Sequence, residues 1–273
     1  MTGPQGWEAL ARHIRAHPVE GTPAERRRAF DALAGPGPAG RSGVIGAVPC
    51  RSHGPEDTRP ILWLHGGGLV FGSPDSHAAG AARLAALTGR QVILPDYRLA
   101  PEHPWPAARE DTLAVLDALG PRPDVMGDSA GGLLALDAAL ARPGRIARLA
   151  LISPNTDRSG RSTTRGPNSA RDLMNDDATD AGLARLAFGR DPAQVPAASP
   201  LLADLSTLPP VWITAATDEV LLDDTLLLIR ALGRAGVAVT AEIRAGLCHL
   251  WTLWPEATPE AAQSYGALTR FLG

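Results

Sequence analysis

The chain has 273 residues, 44% of them hydrophobic and 20% charged, with a formal net charge of −3. A chain this long removes roughly three quarters of its unfolded surface from water, so its core needs no metal or disulfide support, and its near-neutral balance argues against nucleic acid or an anionic membrane as partner. No stretch reaches the roughly 18 uninterrupted apolar residues of a membrane span, and Cys50 and Cys248 stand in no metal-binding spacing.

In chain order, residues 1–45 hold one or two amphipathic helices and then the Gly/Pro stretch AGPGPAGRSG. No continuous apolar run marks a signal peptide, so a cytoplasmic protein with reduced thiols is expected. The only basic cluster, Arg26-Arg27-Arg28, is flanked by Glu25 and Asp31 and reads as a solvated helix face. From about residue 58, short apolar runs alternate with longer Ala/Leu-rich segments. The runs at 61–64, 92–94, 124–126, 149–152, 211–214 and 237–239 suit strands buried on both faces of a parallel sheet. Helical segments between them stop at Gly89, Gly120, Gly144 and Gly236. Within 221–235, the spacing of Leu222, Leu226, Ile229 and Leu232 predicts a buried helical stripe. This alternation predicts right-handed βαβ units: an α/β fold with a mostly parallel central sheet flanked by helices. The polar stretch 155–205, with one helix near 178–188, breaks the rhythm and is too long for a simple connection, so it reads as a functional lid.

Three features carry chemistry. In RPDVMGDSAGGLLAL, Ser129 sits between a short strand and a helix, with Gly127 and Gly131 on either side. With 29 glycines in the chain the G-x-S-x-G pattern alone is unspecific, and Ser129 is either a nucleophile on a tight turn or one more small residue. The strand–turn–helix context favours the nucleophile, since the helix N-terminus adds a positive dipole end beside the hydroxyl. His65-Gly66-Gly67-Gly68 follows the 61–64 strand, where bare backbone N–H groups could approach a substrate closely. A flexible turn is the bland alternative, and His65 itself reads as structural. Of the seven histidines only His249 follows the last strand and precedes the final helix, as the chain order serine, acid, histidine requires.

HGGGLVFGSPDSH, PDYRLAPEHPWPAA, GDSAGG, SPLLADLSTLPP and AGLCHLW occur in this order across roughly residues 58–271. In these motifs the chain resembles the hormone-sensitive-lipase-like family of α/β-hydrolase esterases. The resemblance implies an α/β-hydrolase fold with a small helical cap: residues 1–45 as an N-terminal cap segment, and 46–273 as the core, with a cap insertion at about 155–205. It implies that Ser129 is the nucleophile and His249 the base, with the backbone N–H groups of Gly67, Gly68 and Ala130 as oxyanion donors. Asp128, Tyr97 and Glu102 match motif positions that look architectural. The activity implied is a serine carboxylesterase acting on short-acyl or small esters, without metal or organic cofactor. A small-molecule ester is then the partner, and an edge-strand homodimer is one assembly such proteins adopt. Lactones or arylformamides suit the same chemistry. A ligand receptor that has lost a triad member is the non-enzymatic alternative, but here serine, acid and histidine are all present.

The acid lies in TDEVLLDD, where Asp218 is the obvious residue. The family has an aspartate followed by P-L-R-D-E. Setting Val220-Leu221-Leu222-Asp223-Asp224 against that pattern puts Glu219 at the acid position. Adjacent residues at a strand end point in different directions, so one of the two reaches the imidazole. Glu219 is favoured, with Asp218 as the alternative acid or as a cap for the next helix. The cap segments are short and polar, so an open, modest acyl pocket is expected. Leu69, Phe71, Leu250 and Trp251 flank the motifs and are candidate pocket walls.

Overall fold

The computed structural model describes residues 4–273. The chain opens with helices α1 (Trp7–Ala16) and α2 (Pro23–Ala34). A capping box starts α2: Thr22 Oγ1 accepts from the Glu25 N–H, and the Glu25 carboxylate accepts from the Thr22 N–H. Next comes a hairpin of β1 (Arg41–Ile45) and β2 (Val48–His53), turned at Gly46-Ala47 with φ positive at both residues, as a two-residue primed turn requires. The chain then alternates through β3 (Ile61–Leu64), α3 (Ala78–Thr88), β4 (Val92–Pro95), α4 (Ala107–Ala118), β5 (Asp124–Asp128), α5 (Ala130–Ala141) and β6 (Leu149–Ile152). After β6 it leaves the sheet for α6 (Arg165–Asn168), α7 (Asp177–Phe188) and a run of single 3-10 turns over 192–202. It returns with β7 (Val211–Ala216), α8 (Leu222–Arg234), β8 (Val239–Arg244) and α9 (Pro259–Leu272). Among the described residues no helix is long and apolar enough to cross a membrane.

The strands form one sheet in the order β1-β2-β4-β3-β5-β6-β7-β8. Only the β1/β2 and β2/β4 pairs are antiparallel; β3 to β8 pair in parallel. Successive strand side chains point to opposite faces. Leu62, Leu64, Val125, Leu151 and Ile213 therefore pack with α4, α5 and α8, while Ile61, Trp63, Met126, Ala150 and Trp212 pack with α3 and α9. Each short apolar run serves two cores at once, which is why it shows no alternation in sequence.

The structure departs from the sequence reading in four places. The β1–β2 hairpin has no apolar run to announce it; residues 41–45, grouped in sequence with the N-terminal cap segment, form an edge strand of the sheet, and residues 1–3 of that segment lie outside the described residues. The last strand runs 239–244 rather than 237–239, because an edge strand half open to solvent carries polar residues. The buried side of α8 is Asp224, Thr225, Leu228 and Leu232; of the predicted stripe Leu232 is buried, Leu222 and Ile229 are half-buried and Leu226 is exposed. Asp224 turns inward because Arg165 and the N–H groups of Thr156 and Asp157 meet its carboxylate. Finally, Arg27 is no solvated residue: it donates to the carbonyls of Val70 and Ala100 and pairs with Glu102, which pins α2 beside the glycine loop.

Candidate active site

Strand β5 stops at Asp128 and α5 begins at Ala130, so Ser129 alone makes the turn, with φ 54 and ψ −120. A serine held there stores on the order of 1–3 kcal/mol of backbone strain. The packing around it compels the turn. A Cβ on Gly131 would fall 2.0 Å from Leu64 O, and one on Gly127 2.2 Å from Gly131 O, so α5 meets β3 and β5 backbone to backbone. Other non-glycine residues with positive φ lie on the same framework: Leu69, Ser153 and Leu250.

His249 sits on the loop after β8 and is buried. Its Nε2 lies 2.9 Å from Ser129 Oγ, and its Nδ1 lies 2.9 Å from Glu219 Oε2. The other oxygen of Glu219 accepts from the Ser153 hydroxyl at 2.8 Å and the Ala216 N–H at 2.6 Å. The carboxylate is thereby fixed by three donors. Asp218 is not part of this chain: it accepts from Arg171 at the surface and from Thr217 Oγ1, and it does not cap α8. Burial disfavours a charged imidazole, but the hydrogen bond and charge of Glu219, joined by Asp172 and Asp128, hold the His249 pKa above its ordinary value.

The glycine loop is built just as tightly. Gly67 (φ +115) and Gly68 (φ +63) adopt conformations that suit glycine, and a Cβ on Gly67 would lie 2.2 Å from Phe71 O. Among the described residues the N–H groups of Gly67, Gly68 and Ala130 have no intramolecular acceptor. Asp128 anchors the loop from below, accepting from the Gly66 N–H at 2.8 Å and from Trp63 Nε1–H at 2.7 Å. The Tyr97 hydroxyl donates to His65 O at 2.6 Å, and the His65 ring stacks on Tyr97. Burial pushes the His65 pKa down to about 3, so its ring is neutral and structural.

Ser129, His249, Gly67 and Gly68 share a cleft of about 40 Å3. Val19 and Phe30 line it from the N-terminal segment, Met174, Asn175, Asp180 and Leu183 from the 155–205 insertion, and Phe71 and Leu250 complete the wall. The cleft is modest, as expected, but the cap segments bring apolar residues as well as polar ones over the serine. Two suggested wall residues are also elsewhere: Leu69 belongs to the main core, and Trp251 packs with Ala216, Leu247 and Ala261. Sequence reasoning did not single out Ser153, Asp172 or Asp180. The Asp180 carboxylate is buried and takes donors from Asn155, Arg158 and Arg165. Burial alone would raise its pKa; the two guanidinium groups overcome this and bring it down to about 2. Long-range pairing of this kind leaves no local spacing to read.

Residues 61–253 match the model of the family described as alpha/beta hydrolase fold. The chain belongs to that family. This α/β-hydrolase is similar to an acetyl-hydrolase of Streptomyces hygroscopicus, 36% identical over 228 residues that cover 80% of this chain and 76% of the relative. It is also similar to the carboxylesterase NlhH of Mycobacterium tuberculosis, 34% identical over 244 residues, with 80% and 76% covered. Among solved structures, an esterase from the bacterial hormone-sensitive lipase family superposes with a TM-score of 0.89 at 29% identity, covering 97% of this α/β-hydrolase and 96% of that chain.

Proposed function

We propose that this α/β-hydrolase cleaves carboxylic esters with short acyl groups through a covalent acyl-enzyme. In this reading His249 Nε2 takes the proton of Ser129 as Oγ attacks the ester carbonyl carbon. The N–H groups of Gly67, Gly68 and Ala130 hold the oxyanion, an interaction whose removal typically lowers the rate by about 10² to 10³ per donor. Collapse breaks the bond to the leaving oxygen, which takes the proton from Nε2 and departs as the alcohol. Water then gives a proton to His249 as its oxygen attacks the acyl carbon, and collapse of this second intermediate releases the carboxylic acid while His249 returns the proton to Ser129 Oγ. Glu219 keeps the imidazole in the right tautomer and stabilises its cation. Nothing in these steps calls for a metal or organic cofactor.

The observation that carries the reading is the unbroken hydrogen-bonded chain from Ser129 Oγ through the His249 ring to Glu219, buried under a narrow cleft. The cleft's small volume and the acetyl-hydrolase similarity support short acyl groups. Residues 1–45 and 155–205 act together as a cap in this scheme, a role supported by Val19, Phe30, Met174 and Leu183 in the cleft wall. A cytoplasmic setting is in keeping with two free, buried thiols. The test is hydrolysis of p-nitrophenyl acetate and butyrate by the parent and by Ser129→Ala. Turnover and fluorophosphonate labelling should vanish together in the variant; undiminished turnover would refute the scheme.

A further inference from the structure

Asp172 belongs to the 155–205 insertion and lies outside every motif identified above. It is 9% exposed, and three backbone N–H groups end on its carboxylate. Oδ1 accepts from His249 at 3.0 Å and Met174 at 3.1 Å, and Oδ2 accepts from Val220 at 3.1 Å. Val220 and His249 stand on separate loops, 48 and 77 residues downstream. One loop carries the base, and the other carries Glu219 immediately before Val220. His249 is therefore held at both ends by carboxylates: Glu219 grips the ring, and Asp172 grips the main chain. A buried carboxylate is costly to desolvate unless its oxygens are matched by donors, and here the donors belong to the two loops that must stay in register.

We infer that Asp172 is a positioning residue for the triad, fixing the His249 backbone against the Glu219 loop and tying that register to the seating of the cap. The inference rests on the hydrolase reading above. Displacing a reacting group by about 1 Å can lower the rate about 10²-fold. In Asp172→Asn one acceptor oxygen becomes an NH2 that faces a backbone N–H, while shape is kept. Asp172→Ser removes both carboxylate oxygens and the charge, leaving a single shorter hydroxyl. The charged groups acting on the His249 ring are Glu219, Asp172 and Asp128, and only Asp172 changes in these variants.

The experiment compares the full-length parent, Asp172→Asn, Asp172→Ser and Ser129→Ala on p-nitrophenyl acetate, with pH–rate profiles and thermal melts of each. In the Asp172 variants kcat should fall by about 10²-fold with KM within about threefold of the parent. The acidic limb should move to lower pH, because a negative charge beside the imidazolium is gone. A folded variant with kcat within about threefold of the parent would overturn the inference. An unmoved acidic limb, with the damage confined to the melting temperature, would overturn it too, as would loss of the fold in both variants, since Asp172 would then support structure alone. Turnover surviving in Ser129→Ala would instead remove the hydrolase reading beneath it.

Discussion

Glu219→Gln exchanges one oxygen for an NH2 and leaves the shape of the side chain nearly intact. The Oε1 position is held by the Ala216 N–H at 2.6 Å and the Ser153 hydroxyl at 2.8 Å. The hydroxyl can rotate, but the backbone donor cannot, so the amide oxygen must occupy that position. The new NH2 then faces His249 Nδ1 across the 2.9 Å contact. Two donors cannot share one hydrogen bond, so the imidazole proton moves to Nε2, the atom that should accept from Ser129. A base in the wrong tautomer lowers kcat by about 10⁴-fold, equivalent to roughly 5.5 kcal/mol. KM should change little, since Glu219 lies behind the ring and outside the cleft wall. Asp218→Asn is the matched control: its partner is a half-exposed Arg171, and exposed pairs contribute about 0–1 kcal/mol, so kcat should stay within about threefold. Initial rates with saturating p-nitrophenyl acetate measure both. If Asp218→Asn loses more activity than Glu219→Gln, the assignment of the acid is wrong.

The remaining predictions concern the base, the buried ion cluster and the cleft. His249 must be neutral to accept a proton and its pKa is raised, so kcat/KM should climb with pH along a limb centred above the ordinary value of 6.5; a limb at or below that value contradicts the proposed surroundings of the ring. The Asp180 pKa falls from 3.8 to about 2, so its pairing contributes on the order of 2 kcal/mol above the unfolded value, lost as pH drops from there toward the folded one. Asp180→Ala, which leaves Arg158 without its carboxylate and Arg165 with Asp224 alone, should lower stability by about 3–5 kcal/mol in urea unfolding at neutral pH, and a loss under about 1 kcal/mol would show the cluster to be incidental. Phe71→Ala enlarges the cleft and should raise the octanoate-to-acetate ratio of kcat/KM about tenfold; an unchanged ratio would place the acyl group elsewhere.

The central parallel strands β3 to β7 are legible because they are buried on both faces, and such strands must be short and apolar whatever lies around them. The hairpin β1–β2 and the true extent of β8 are not, since edge strands satisfy their backbone in the sheet while their side chains face water. The face that α8 buries was misread for a related reason: Asp224 is drawn inward by Arg165, 59 residues away, and no helical periodicity encodes a partner at that distance.

For the site, the local letters specified whatever depends on local geometry. G-D-S-A-G between a strand and a helix dictates a strained turn, and three glycines after a strand dictate bare amides. Both patterns span a handful of residues and can be read from them, although part of the packing that compels the turn, Gly131 against Leu64 O, comes from another strand. Which of Glu219 and Asp218 meets the His249 ring, how Phe30 and Leu183 come to line the cleft, and how Asp172 reaches two distant loops depend on folding alone. Adjacent carboxylates differ in direction rather than chemistry, and the direction of Glu219 is set by the nearby Ala216 N–H together with Ser153 and His249, two contacts that exist only once distant parts of the chain are side by side.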